Sequence, residues 1–327
     1  MTSYTITVEP LGREVECRED QTILDACLRA GVWLPHSCTH GTCATCKCEV
    51  LDGDVDHGAA SRLITHCLDN GSDGVVMAST TGEASTLDDD EKIALYRLGR
   101  REAGDAVVIA NTGTNDTAHS VRLTHEAAAA GADAVLAVTP YYNKPPRAGI
   151  VAHFASIAEV GLPVIVYNIP GRSVLNLPPD LLAEIADIPH VVGVKQAHND
   201  LDELDAVMAV DGFSVWAGND DLYARVLERG GAGVISVASH LVGPAMARMA
   251  ADARDGDMDA MRATDAELAG LYAALFAITS PLPVKAAMEM TGIIPSDRMR
   301  LPLVPATPAE RDALRPVLEA HGVLAHA

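Results

Sequence analysis

Five lysines and seven cysteines supply most of the nucleophilic and metal-binding chemistry of this 327-residue chain, and their placement is uneven. Lys47 sits among cysteines, Lys92 in the polar stretch DDDEKIALYRLG, Lys144 in a Pro-rich loop, and Lys285 opens the apolar helix PVKAAMEM. Lys195 alone ends an apolar run, VVGVKQ. Burial there disfavours the ammonium and favours the free amine needed to attack a carbonyl. The plainer alternative is a lysine that snorkels from a rim into water. Tyr167 ends a second such run, PVIVYN, where a phenol can pass protons for an adjacent amine, or can simply pack with its hydroxyl bonded to backbone. Thr80 and Thr81 precede Gly82, and hydroxyls and N–H groups at such a turn suit a carboxylate, although Thr-Gly also occurs in ordinary turns.

These residues need a scaffold that gathers them. From Gly74 onward short apolar runs alternate with longer helical stretches: 74–80, 106–111, 134–140, 163–168, 191–196, 214–219 and 233–237. Continuous rather than alternating hydrophobicity suits strands buried on both faces, and intervening helices make parallel βα units. Seven units predict an α/β fold of the (β/α)8 TIM-barrel type with its first strand missing or replaced; a doubly wound open sheet is the alternative. In the barrel, active-site residues gather at the C-terminal strand ends. Thr80 to Glu83, Tyr141 to Asn143, Tyr167 and Asn168, Lys195, Gly218 to Asp221, and Ser236 fall there.

The front of the chain differs. All seven cysteines, Cys17, Cys27, Cys38, Cys43, Cys46, Cys48 and Cys67, lie within the first 67 residues. YTITVEP and REVECRED read as a β-hairpin, followed by a short helix in QTILDACLRAGV that ends at Gly31. Cys38, Cys43 and Cys46 have the spacing of a plant-type [2Fe–2S] loop.

Composition narrows the partners. A formal charge of −21 repels phosphate backbones and anionic lipid, so neither nucleic acid nor membrane is expected as a partner. The start, MTSYTITVEP, lacks a basic stretch before an apolar core, and no apolar run approaches the roughly 18 residues of a membrane span. A cytoplasmic location is expected.

Five motifs, MASTTGEASTLDDDEK, VTPYYNKPP, VYNIPGRS, GVKQA and GVISV, occur in the order and spacing of dihydrodipicolinate synthases and related pyruvate-dependent lyases. The resemblance covers about 54–324. It implies Lys195 as a Schiff-base nucleophile toward pyruvate, Tyr167 as its proton donor and acceptor, and Thr80 with Tyr142 completing a hydroxyl relay. Tyr142 would reach into a neighbouring subunit of a homo-oligomer, a dimer of dimers. Thr81 and the backbone at Ile235 would hold the pyruvate carboxylate, and Arg172 would receive the carboxylate of aspartate semialdehyde. No cofactor is implied for the lyase reaction. Sister lyases, sialic-acid and 2-keto-3-deoxy sugar acid aldolases, share Lys195 and Tyr167 and differ in the second-substrate pocket. Ser79 and Gln196 depart from the family's usual Gly and Glu. His119 stands where relatives that respond to lysine carry a Glu, so strong lysine feedback is not expected.

The flanks of the cysteine loop resemble the ferredoxin domain of phenol-hydroxylase-type reductases. The fourth ligand that this resemblance calls for is not found: Cys48 is too close, and Cys67 lies in RLITHCLDNG, which reads as the barrel's first helix. The expected organisation is a truncated ferredoxin-like segment at 1–57 and a lyase barrel at 58–327. CKCEVL is expected to act as a makeshift first strand, and a stoichiometric [2Fe–2S] centre is not expected. An iron–sulfur electron carrier that uses the barrel as a scaffold is the alternative from a different functional class.

Overall fold

The computed structural model describes residues 3–8, 13–18, 21–32 and 55–324. Two compact units divide between Gly53 and Asp54. In the first, β1 (Ser3–Val8) pairs antiparallel with β2 (Arg13–Arg18), and α1 (Ile23–Arg29) follows. Alternation puts Val15 and Cys17 on the buried face of β2, where they meet Ala26, Cys27 and Val32 in a small core.

The second unit opens with α2 (His57–Asp69), capped by the Asp56 carboxylate, which accepts from the Ala59 N–H at 2.8 Å. Seven parallel strands follow, each preceded by helix: β3 (Gly74–Met77), α3 (Asp89–Ala103), β4 (Val107–Asn111), α4 (Thr117–Ala129), β5 (Ala134–Val138), α5 (Arg147–Ala158), β6 (Val164–Asn168). The chain continues through α6 (Pro170–Ser173), α7 (Pro179–Ala186), β7 (Val191–Gln196), α8 (Leu201–Met208), β8 (Ser214–Ala217), α9 (Tyr223–Glu228) and β9 (Gly233–Val234). It ends in α10 (Ser239–Asp255), α11 (Met258–Leu275), α12 (Leu282–Met290) and α13 (Pro308–Ala320).

Strand order is the order of the chain, β3 through β9, without the reversal that defines a doubly wound sheet, so the open-sheet alternative falls. The apolar runs are buried on both faces. One face meets the helices in the large core that includes Val108, Val135, Val164 and Val194, and the other meets its counterparts across an inner core of Leu136, Ile165, Tyr167, Trp216 and Ile235. Among the described residues no strand lies between β3 and β9, and CKCEVL, expected there, lies outside them. No helix of the described residues is long and apolar enough to cross a membrane.

One packing detail has a titration consequence. His153 of α5 is 2% exposed; its Nδ1 bonds Thr117 Oγ1 at 2.9 Å, and Nε2 has no partner among the described residues. Burial pushes its pKa down to about 4, against the opposing charge of Asp116. The imidazole is therefore neutral when folded but takes a proton when unfolded below about pH 6.5, so stability falls as pH drops from about 6.5 to about 4. In urea unfolding, replacing His153 with Gln is expected to reduce the stability lost between pH 7 and pH 4.5 by about 2 kcal/mol. An unchanged pH dependence contradicts it.

Candidate active site

The centre of the site is set by sheet register. β6 and β7 pair so that Tyr167 stands beside Lys195, and β8 continues the row with Trp216. All three side chains project to the inner face, and Lys195 Nζ lies 4.3 Å from the centroid of the Tyr167 ring. Lys195 is 7% exposed, which rules out an amine snorkelling into water. The Tyr167 hydroxyl has no hydrogen-bond partner among the described residues, unlike a tyrosine tied to backbone for packing alone. A buried amine against a phenol whose hydroxyl has no partner among the described residues is placed for addition to a carbonyl and for the proton transfers that follow.

The residues next along each strand point outward and lock the pair. Asn168 Nδ2 donates to Gln196 Oε1 at 3.0 Å and to Asn176 Oδ1 at 2.9 Å, while Asn168 Oδ1 accepts from the Leu177 N–H at 3.1 Å. Asn176 passes the bonding on to Glu203, which also meets His198 Nδ1 at 2.9 Å. Gln196 Nε2 is buried with no partner among the described residues.

Of the other lysines, Lys47 lies outside the described residues. Lys285 is ion-paired with Glu83, and Lys144 is exposed in its loop. Lys92, in the polar stretch, is 8% exposed: α3 turns that residue inward, and desolvation lowers its pKa against the charges of Asp89 and Asp88. It sits in the outer helical layer, not at a strand end.

Thr80 and Thr81 lie in the turn after β3, half-buried, and neither hydroxyl has a partner among the described residues. Ala78 and Glu83 bracket the turn with left-handed φ values of 53° and 55°. At Ile235 the backbone N–H donates to the Ala217 carbonyl at 2.9 Å, in continuation of the β8–β9 pairing. Arg172, at the exposed end of α6, donates from Nη2 to the Ser280 carbonyl at 2.8 Å.

Tyr142 is not gathered with the others. It stands 86% exposed in the loop after β5, at a left-handed φ of 72°. His119 Nε2 is 2.8 Å from Asp89 Oδ1.

Sequence reading gave Asp220 no role, although it lies in the rim stretch after β8. Its carboxylate is 1% exposed and accepts from Ser236 Oγ at 2.5 Å, Ala238 N–H at 3.0 Å and Val237 N–H at 3.2 Å. Burial pushes its pKa up, opposed by those bonds and by the charge on Lys195. It ties the end of β8 to the segment that follows Ile235. The only signal in the sequence is an acidic pair at a strand end, which by itself reads as solvated loop.

For iron, Cys38, Cys43 and Cys46 lie outside the described residues. Among those described, no group of three or more His, Cys, Asp or Glu is placed to hold a metal. Cys17 and Cys27 are enclosed in the hairpin core. Cys67 is buried in α2, and burial pushes its thiol up to about 11, which keeps it protonated rather than a thiolate ligand.

Comparison with known proteins places the chain in a family. The chain matches the dihydrodipicolinate synthetase family over residues 49–321 and the 2Fe-2S iron-sulfur cluster binding domain over residues 6–69, so both claim 49–69. It is 42% identical to 4-hydroxy-tetrahydrodipicolinate synthase of Moorella thermoacetica over 84% of this chain and 94% of that one. A structure of the chloride-inhibited dihydrodipicolinate synthase of Acinetobacter baumannii with pyruvate superposes with a TM-score of 0.81 at 36% identity, covering 84% of this chain and 96% of that one. The Cyanidioschyzon merolae enzyme with lysine bound gives a TM-score of 0.80 at 36% identity, over 83% of this chain and 93% of that one. On a match that spans most of its length and includes the strand ends carrying Tyr167 and Lys195, the chain belongs to the dihydrodipicolinate synthetase family.

Proposed function

We propose that the chain is a 4-hydroxy-tetrahydrodipicolinate synthase that condenses pyruvate with aspartate semialdehyde through a Schiff base on Lys195. The observation that carries this reading is the buried Lys195 amine held against the Tyr167 ring. The amine adds to the C2 carbonyl of pyruvate, and the carbinolamine loses its oxygen as water to leave an imine. Tyr167 supplies and recovers the protons of those steps. Loss of a C3 proton gives an enamine that bonds to the aldehyde carbon of the semialdehyde. The semialdehyde's own amine then adds to the imine carbon, closing the ring and releasing Lys195.

Thr81 binds the pyruvate carboxylate through its hydroxyl. Thr80 relays protons with Tyr142 of a neighbouring copy, a role consistent with Tyr142 being exposed in its own chain. Arg172 offers a planar guanidinium that matches the second substrate's carboxylate bidentately. That residue favours the synthase over a sugar-acid aldolase, whose second substrate presents hydroxyls. The synthase reaction needs no cofactor, and no step passes through iron.

The direct test is purified full-length protein with pyruvate and aspartate semialdehyde, followed for the cyclic product. Turnover is expected; cleavage of sialic acid or a 2-keto-3-deoxy sugar acid without it would replace this reading with an aldolase. Replacing Arg172 with Ala is expected to raise the semialdehyde KM far more than it weakens imine formation with pyruvate, and equal losses contradict its role. Tyr167→Phe keeps the ring and removes the hydroxyl, so turnover is expected to fall about 10²–10⁴-fold with the fold intact, as measured by steady-state rates and circular dichroism. Unchanged turnover returns Tyr167 to a packing role.

A further inference from the structure

Glu83 takes no part in the chemistry above, yet it is held more firmly than the two threonines beside it. One carboxylate oxygen accepts from Lys285 Nζ of α12, in an ion pair whose side chains are 10% and 18% exposed. The other accepts from the Arg300 N–H at 2.9 Å. The Arg300 guanidinium also donates to the Thr86 carbonyl at 2.8 Å and to Glu91 at 2.6 Å. Asn111 Nδ2 holds the Ala78 carbonyl at 2.9 Å on the far side. The turn carrying Thr80 and Thr81 is thus fastened at its start by Ala78, at its end by Glu83 and just beyond it at Thr86, and the fastening at Glu83 includes an ion pair to α12.

That fastening falls where the backbone needs it. Glu83 is left-handed at φ 55°, a conformation that L side chains avoid unless their surroundings impose it. An ion pair with little solvent exposure is a weak source of net stability, because desolvating both charges offsets most of their attraction. Its geometric effect is stronger, since a compact ammonium placed against one oxygen fixes where the turn sits. The same segment of α12 follows Ser280, whose carbonyl receives Arg172 Nη2 at 2.8 Å.

We propose that Glu83 and Lys285 are positioning residues: their ion pair holds the Thr80–Thr81 turn where it receives the pyruvate carboxylate, and α12 is the strut behind it. This rests on the proposed lyase reading, and it gives Lys285 a task that excludes it as the nucleophile.

The test uses the full chain with Lys285→Met, which keeps the apolar stem and removes the ammonium, alongside Glu83→Gln and Lys285→Arg. Intact mass after borohydride reduction gives the pyruvate concentration at half-maximal adduct formation. In Lys285→Met and Glu83→Gln that concentration is expected to rise about 10–100-fold, as for a binding group displaced by about an ångström. The rate at saturating pyruvate is expected to fall too, but by less than the half-saturating concentration rises, because the same turn carries Thr80 of the proposed relay, while the semialdehyde KM is expected to stay unchanged. Lys285→Arg is expected to restore most of the loss. An unchanged pyruvate dependence in folded variants overturns the proposal, as does a fall in the saturated rate alone. Loss of the fold in both Lys285→Met and Glu83→Gln also overturns it, since the pair is then purely structural. If the unaltered protein forms no pyruvate adduct, the lyase reading fails and the proposal with it, whereas a normal adduct with unchanged pyruvate dependence removes the proposal alone.

Discussion

The site depends on the register between two strands. Tyr167 and Lys195 are neighbours because β6 and β7 pair residue against residue at their C-terminal ends, and a slip of one strand by one position would turn its member of the pair out of the inner face. The sheet guards against that slip on its other face. Asn168 and Gln196, one residue further along each strand, are fully buried and joined by a 3.0 Å hydrogen bond. A slipped register would leave these amides without partners in a dry interface, a cost of about 1–3 kcal/mol for each unsatisfied group. The register shift between Val164 and Ile165 lies at the opposite end of β6, where it does not disturb the pair.

Around that pair the rim is assembled by side chains that tie one strand end to the next. Asn111 reaches back to the Ala78 carbonyl, Thr139 Oγ1 donates to the Tyr167 carbonyl at 3.1 Å, and Asp220 gathers Ser236, Val237 and Ala238. Each tie crosses from one βα unit to a neighbour, so the mouth of the sheet is held without an eighth strand among the described residues. The stretch 49–69, claimed by both family matches, is settled in part by packing: Ile64 and Cys67 of α2 are buried, Ile64 within the large core of the second unit. A thiol enclosed in that way serves the barrel's helical layer.

Much of this was legible in the sequence, for physical reasons. The seven strands stood out because burial on both faces demands uninterrupted apolar runs, and Lys195 stood out because a charge at the end of such a run is unusual. The burial of Lys92 was not legible, because a helix start rich in Asp gives no sign that the face carrying Leu95, Tyr96 and Gly99 takes Lys92 inward with it. Asp220 and the Glu83–Lys285 pair were illegible because their partners lie in other βα units, 202 positions away for Lys285. The use of the Ile235 N–H in the sheet depends on how far β9 extends, which residue patterns do not determine to within one position.

The central claim is that Lys195, and no other lysine, is the nucleophile. Borohydride reduction of the protein in the presence of pyruvate, followed by peptide mapping, tests it most directly. A single reduced pyruvate adduct is expected on the peptide containing Lys195, formed only when pyruvate is present. An adduct on Lys92 or Lys285, or none on any lysine, would contradict it.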